Sequence, residues 1–217
     1  MELTWYGHSC VRISERNMAT VVCDPFDTDS VGFSSLKLKA DIVTISHDSP
    51  GHNHLEGVKG EPFIIKGPGE YEIGGVFITG ATDKRRKNAS NEEDKPRNTI
   101  YVIEYNGINI AHMGNIDVVP SQNDIESLGP INIALIPVGG KSSVNAAKAV
   151  EIVSLLDPQI VIPIHYGMDQ SKIELDSVEK FSKEMGVTST PPIDVLKLNG
   201  SKDLPQETQV IILTPKS

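Results

Sequence analysis

Short runs of alternating apolar and polar positions fill the first part of the chain, and each predicts a half-buried strand. Glu2 to Tyr6, Cys10 to Ser14 and Ala19 to Asp24 read as a meander, with Ser14-Glu15-Arg16-Asn17 as one of its turns. Phe26 to Lys37 is rich in Asp, Ser and Gly and reads as a loop. The apolar run Ala40, Ile42, Val43 and Ile45 then predicts a buried strand. Pro62 to Lys66, Tyr71 to Ile73 and Val76 to Thr79 follow as strands between Gly-rich turns, and Gly67-Pro68-Gly69 is taken as turn chemistry alone.

Beyond Arg97 the pattern changes to strands and helices in alternation. Asn98 to Tyr105 and Ile108 to His112 form a predicted hairpin closed by Asn106-Gly107, a pair suited to the left-handed backbone of a two-residue turn. Helices are expected over Ser121 to Leu128, Val144 to Leu156 and Leu175 to Met185. The second of these carries an apolar stripe (Val144, Ala147, Val150, Ile152, Val153, Leu156) and stops at Asp157-Pro158. Apolar strands at Ile131 to Val138 and Gln159 to His165, and two closing strands, Ile193 to Leu198 and Gln209 to Leu213, complete the chain. Two β-rich halves, each with helices, predict an α/β (α+β) sandwich of two sheets covered outside by helices. No linker or repeat divides residues 1–217, so a single domain is expected.

The candidate chemistry sits where the buried strand at 40–45 ends. Thr44-Ile45-Ser46-His47-Asp48-Ser49-Pro50-Gly51-His52-Asn53-His54 crowds three of the chain's 6 histidines into one loop, which points to a metal site. A catalytic zinc usually takes three protein ligands, so His47 and His52 need a partner from elsewhere. Two other strand ends offer one: His112-Met113-Gly114-Asn115 and His165-Tyr166-Gly167.

These segments, with Leu3-Thr4-Trp5-Tyr6-Gly7-His8-Ser9-Cys10, Cys23-Asp24-Pro25-Phe26, Gly67-Pro68-Gly69-Glu70-Tyr71-Glu72-Ile73 and Ile136-Pro137-Val138-Gly139-Gly140, resemble the metallo-β-lactamase superfamily. The likeness is strongest to its small cytoplasmic branch of zinc-dependent hydrolases, which includes ascorbate-6-phosphate lactonase-like proteins. The resemblance implies a four-layer αββα sandwich and a hydrolase of a small ester, lactone or phosphorylated substrate. It spans nearly the whole chain, but its metal motif is degenerate. The family signature is H-x-H-x-D-H; laid on His47, it puts Ser49 at the second His, Gly51 at the Asp and His52 at the last His. The family His after the strand ending at Gly80 is absent, and the bridging Asp is Asn115.

His47, His52 and His165 are therefore the expected metal ligands, with Asn115 as a weak fourth. A site without either family Asp should hold at most one zinc, because a carboxamide neutralises no charge. Asp48 is the expected proton acceptor, and Asp48, His54 or Asp83 could each replace a missing ligand. His8 is read as a hydrogen-bonded histidine near the sheet edge, and His112 as a packing or supporting residue. Asp24 is a turn-former or an orienter of an imidazole. Tyr166 either polarises an oxyanion or lines the cleft. The alternative to a hydrolase is a non-catalytic member of the fold that acts as a binding or scaffold protein.

Charge narrows the partners. A formal net charge of -9 disfavours nucleic acid, whose binding is built from Lys and Arg contacts. The one basic cluster, Lys84-Arg85-Arg86-Lys87, runs straight into Asn91-Glu92-Glu93-Asp94 and reads as a solvated loop. No apolar run approaches the length of a membrane helix and the start lacks a signal-peptide pattern, so a cytoplasmic protein acting on a small molecule is expected, with a homo-oligomer left open. Cys10 and Cys23 are then expected to be buried free thiols.

Overall fold

The structure is a computed structural model that describes residues 1–82, 98–188 and 191–216. The basic cluster at Lys84 to Lys87, the acidic run after it and the substitute ligand Asp83 lie outside the described residues.

The amino-terminal alternation builds a meander of β1 (Glu2–Gly7), β2 (Cys10–Ser14) and β3 (Val21–Cys23), whose neighbours are antiparallel. The buried strand β5 (Ile42–Ile45) and then β7 (Phe63–Lys66) join it in parallel, and β14 (Leu196–Lys197) closes the far edge, giving the order β14-β1-β2-β3-β5-β7. Successive side chains face opposite ways. Leu3, Trp5, Val11, Ile13, Val21 and Cys23 enter the main core, whereas Cys10, Val22, Val43 and Ile45 face an outer cluster with Phe26 and Phe33. Both cysteines are buried and free, on opposite faces of this sheet.

The second sheet has the order β15-β13-β12-β11-β10-β9-β8. Its members are β8 (Gly69–Ile73), β9 (Val76–Thr82), β10 (Thr99–Tyr105), β11 (Ile108–His112), β12 (Ile133–Pro137), β13 (Ile160–Ile164) and β15 (Gln209–Val210). The Asn106-Gly107 hairpin forms as expected, with φ of 50° and 77° at the two turn residues. From β11 to β15 the pairing is parallel, and every residue of β12 and β13 is buried, the pattern of strands covered on both faces.

The first sheet covers one face, and the other is covered by α2 (Gln122–Glu126), α3 (Ala146–Leu156) and α4 (Val178–Glu184). Asn145 caps α3 by accepting from the Lys148 N–H, and Asp157 ends it at a left-handed φ of 46° before Pro158. α4 starts later than the apolar pattern suggests because the backbone of Asp176 is engaged with Gly139 and Gly167, next to the β13 terminus. The first sheet has a thinner outer layer: α1 (Thr28–Val31), a 3₁₀ turn at Leu55–Gly57 and the two-stranded pair β4 (Leu38–Lys39) with β6 (Val58–Lys59). The αββα order holds. α1 falls where a loop is expected, between an Asp27 cap and Gly32 at φ 93°. The two closing strands shrink to two-residue ladders at sheet edges, and Ile193 keeps a single bridge to Leu213.

Tyr101 and the Thr99 N–H, which donates to the Ser46 carbonyl at 2.7 Å, tie the sheets together beside the histidine loop, and Asn98 braces the turn after β11. Tyr101 on β10 donates its hydroxyl to the Ile45 carbonyl at 2.9 Å and accepts from the Gly67 N–H at 2.9 Å. Asn98 donates to the Met113 carbonyl and accepts from the Asn115 N–H, at 2.9 and 2.8 Å. The ends of β5 and β11 are thus fixed relative to one another.

Candidate metal centre

Five chain segments meet at one edge of the sandwich. His8 comes from the β1–β2 turn, Asp24 follows β3, Ser46 to His52 follow β5, Asn115 follows β11 and His165 follows β13. His8, Asp24 and His165 all hold left-handed backbones, with φ of 49°, 45° and 52°. Non-glycine residues in that region are uncommon, and their clustering marks a functional site. The strain is locked in by hydrogen bonds: the His8 carbonyl accepts from the Trp5 indole at 2.9 Å and from the His165 N–H at 2.8 Å.

The donors that converge are those of His8, His52 and His165. Each is buried and offers a ring nitrogen, and these nitrogens all lie within 4.8 Å of one another. The His8 and His165 ring centres are 4.0 Å apart, and those of His8 and His52 4.9 Å. Ligands on a tetrahedral zinc sit about 3.4 Å apart, so a small inward rotation of the rings suffices to close on an ion. Asn115 adds an oxygen: its Oδ1 is buried with no hydrogen-bond partner among the described residues, on a residue that lines the same cleft.

The environment favours neutral rings with free lone pairs. Burial pushes His165 down to about 3, with the neighbouring His52 and His47 adding to the effect. Burial first, then His165 and His52, holds His8 well below the ordinary range of a histidine. Asp24 behaves differently. Burial acts to raise its carboxyl, but the charge and hydrogen bond of His52, with His112 and Ser46, outweigh it and hold Asp24 at about 2. The carboxylate accepts from His52 Nδ1 at 2.7 Å, from the Ser46 N–H at 2.7 Å and from the Ser46 hydroxyl at 2.5 Å. His52 thereby presents Nε2 to the cleft, the carboxylate-imidazole arrangement that orients metal ligands.

Gly51 explains how His8 reaches this position. A Cβ at Gly51 would lie 2.8 Å from His8 Nε2. The His8 ring thus fills the space that a side chain at residue 51 would need, and this is the position where the resembling family carries its Asp. His8, read from the sequence as a structural histidine, is one of the three converging imidazoles. The absent side chain at Gly51 was the available signal.

His47 lines the cleft with its ring centre 4.1 Å from that of His52, yet it stands outside the converging trio. Its Nε2 meets Ser49 Oγ at 3.1 Å. Asp48 turns away from the site: it is exposed, pairs with Lys66 at 3.2 Å and accepts from Asn53 at 2.6 Å. His54 leads into the 3₁₀ turn and is not among the residues lining the cleft. His112 donates from Nε2 to the Ser9 carbonyl at 2.9 Å, the supporting place expected of it. Tyr166 packs on Trp5 with ring centres 5.0 Å apart and is buried in the core, so it neither lines the cleft nor reaches an oxyanion there.

The cleft holds about 320 Å³ and is lined by His8, His47, Ser49, His52, Asn115 and His165 among others. That volume suits a small molecule.

Residues 2–165 match the β-lactamase superfamily domain. A UPF0173 metal-dependent hydrolase of Natranaerobius thermophilus is 26% identical over 92% of this chain and 100% of its own. One from Lysinibacillus sphaericus is 29% identical over 77% of this chain and 86% of its own. Among solved structures, a metallo-β-lactamase superfamily protein of Thermotoga maritima superimposes with a TM-score of 0.79 at 31% identity, covering 98% of this chain and 97% of that one. Igni18, a metallo hydrolase of Ignicoccus hospitalis, shares the fold with a TM-score of 0.64 at 21% identity, over 91% of this chain and 99% of that one.

Proposed function

Since the chain belongs to the β-lactamase superfamily, matching its domain over residues 2–165, we propose that it is a metal-dependent hydrolase working with a single zinc held by His8, His52 and His165. The observation that carries this reading is the convergence of three buried imidazole donors at the base of a small-molecule cleft. Imidazoles with an amide oxygen from Asn115 form a donor set that suits zinc. When bound, the ion supplies Lewis acidity towards a carbonyl or phosphoryl oxygen. The protein residues do the rest: Asp24 fixes the His52 tautomer, the His8 carbonyl anchors His165, and His47 stands in the cleft as the base in place of Asp48. The names of the relatives support hydrolysis. A small ester, lactone or phosphorylated compound fits the cleft volume, and cytoplasmic action on such a substrate agrees with the composition.

One observation favours the second reading, a binding protein that keeps the fold without turnover: none of the described cleft-lining residues is a carboxylate. Zinc-loaded protein screened against panels of unactivated alkyl esters, lactones and phosphoesters separates the two. Hydrolysis of one class that falls more than about 100-fold on chelation, and again in His52→Ala, is the expected result. Zinc-loaded protein that binds members of a panel without turning any over would establish the binding protein instead.

A further inference from the structure

The half of the cleft that the zinc trio leaves aside contains a second constellation. Ser49 Oγ lies 3.1 Å from His47 Nε2, and both residues are partly exposed on the cleft wall. On the other side of the ring, His47 Nδ1 faces Ser46 Oγ at 3.4 Å. The Ser46 hydroxyl spends its proton on Asp24, at 2.5 Å. Ser46 Oγ can therefore only accept from His47, which places the imidazole proton on Nδ1 and leaves the Nε2 lone pair for the Ser49 hydroxyl. The chain Asp24, Ser46, His47, Ser49 has a consistent direction of donation from end to end. It has the relations of an activated nucleophile: a hydroxyl on a base, and the base oriented by a third group.

The backbone holds Ser49 in place. Its carbonyl accepts from the His52 and Asn53 N–H groups at 2.8 and 3.1 Å, and its own N–H donates to the His47 carbonyl at 3.1 Å. Ser49 thus rides on a tight turn with its hydroxyl turned towards the base.

We propose that Ser49 is a nucleophile, with His47 as its general base, that takes up the acyl group of small activated esters without a metal. The Ser49 proton passes to His47 Nε2 as Oγ bonds to the ester carbonyl carbon. The bond from that carbon to the leaving oxygen then breaks, and the leaving group takes the proton from His47. Water, deprotonated by the same nitrogen, later bonds to the acyl carbon; the bond from that carbon to Ser49 Oγ breaks, the acid departs, and His47 returns the proton to Ser49 Oγ. Ser46 and Asp24 are positioning residues: they set the tautomer and orientation of His47 and touch no reacting atom. The proposal is independent of the zinc reading.

The test uses the full chain stripped of metal and kept in chelator, treated with p-nitrophenyl acetate and separately with a fluorophosphonate, and read by intact mass and peptide mapping. One adduct per chain, on Ser49, is expected with each reagent. Ser49→Ala should lose the adduct while binding zinc as the parent does. His47→Gln, with its fold checked by circular dichroism, should acylate about 100-fold more slowly or worse. An unmodified parent chain, an adduct mapping elsewhere, one that persists in Ser49→Ala, or equal acylation rates in His47→Gln and the parent overturns the proposal. Because the adducts are read without metal, the labelling outcomes do not depend on the zinc site.

Discussion

Gly51→Asp weakens zinc binding, and His8→Ala added to it restores binding to above the level of either single variant. The expectation comes from shared space. A Cβ at residue 51 meets His8 Nε2 at 2.8 Å, a separation that real side chains do not tolerate. The His8 backbone cannot retreat, because its carbonyl is held by both Trp5 and His165. A carboxylate at position 51 therefore drives the His8 ring out of the trio, and affinity falls by about tenfold or more. His8→Ala alone removes a ligand outright and should cost more than about 100-fold. Together the two changes exchange one ligand for another: the small residue at position 8 opens the volume and the new carboxylate occupies it. The coupling between the two substitutions should be large and favourable, as neighbours competing for one volume require. Competition against a chromogenic chelator reads all four proteins, and additive losses in the double variant would show that His8 and residue 51 do not share a ligand position.

Asp24→Asn should be the most damaging change of a single atom. The carboxylate is fully buried and accepts three hydrogen bonds, two from Ser46 and one from His52 Nδ1. An amide keeps the shape but turns one acceptor into a donor, so at least one of those partners is left facing N–H. If that partner is His52, its tautomer reverses and its cleft nitrogen becomes a donor. Zinc affinity should fall between about 10- and 100-fold, as for other losses of a carboxylate behind a metal-binding histidine. Leaving a buried hydrogen-bonding group unsatisfied also costs about 1 to 3 kcal/mol of folding stability. Urea unfolding of the metal-free proteins measures the second effect apart from the first. Parent-like affinity together with parent-like stability would show that Asp24 merely shapes its turn.

The sequence was most legible where local signals and long-range packing agree. Asn106-Gly107 needs left-handed backbone at both residues and has it. The stripe of α3 holds at Ile152, Val153 and Leu156, but Ala147 is exposed and Val150 half-buried, and Ala146 and Ala149 face the core in their place. The crowded loop at 47–54 also marks the site, since histidines at a strand end have little packing use. What the loop conceals is which of its side chains face inward. Asp48 and Ser49 are adjacent, yet Asp48 goes out to Lys66 and Ser49 goes in to His47. A tight turn decides this, and no periodicity records it. His8 lies far from the loop in sequence, so its convergence depends on how β1 and β2 stack beside β3 and β5. Gly51 held the clue: an absent side chain among histidines signals close approach as much as lost chemistry. Tyr166 shows the opposite failure. Its place next to His165 suggests a role at the site, but the left-handed backbone at His165 turns the chain just past β13, and the Tyr166 ring enters the core against Trp5.

The most direct measurement is zinc per chain in tag-free protein equilibrated with the metal and desalted, by elemental analysis, for the parent and for His8→Ala. The account predicts about one zinc in the parent and almost none in the variant. A parent that stays folded but takes up no zinc, or a variant that keeps its zinc, would contradict a site built from His8, His52 and His165.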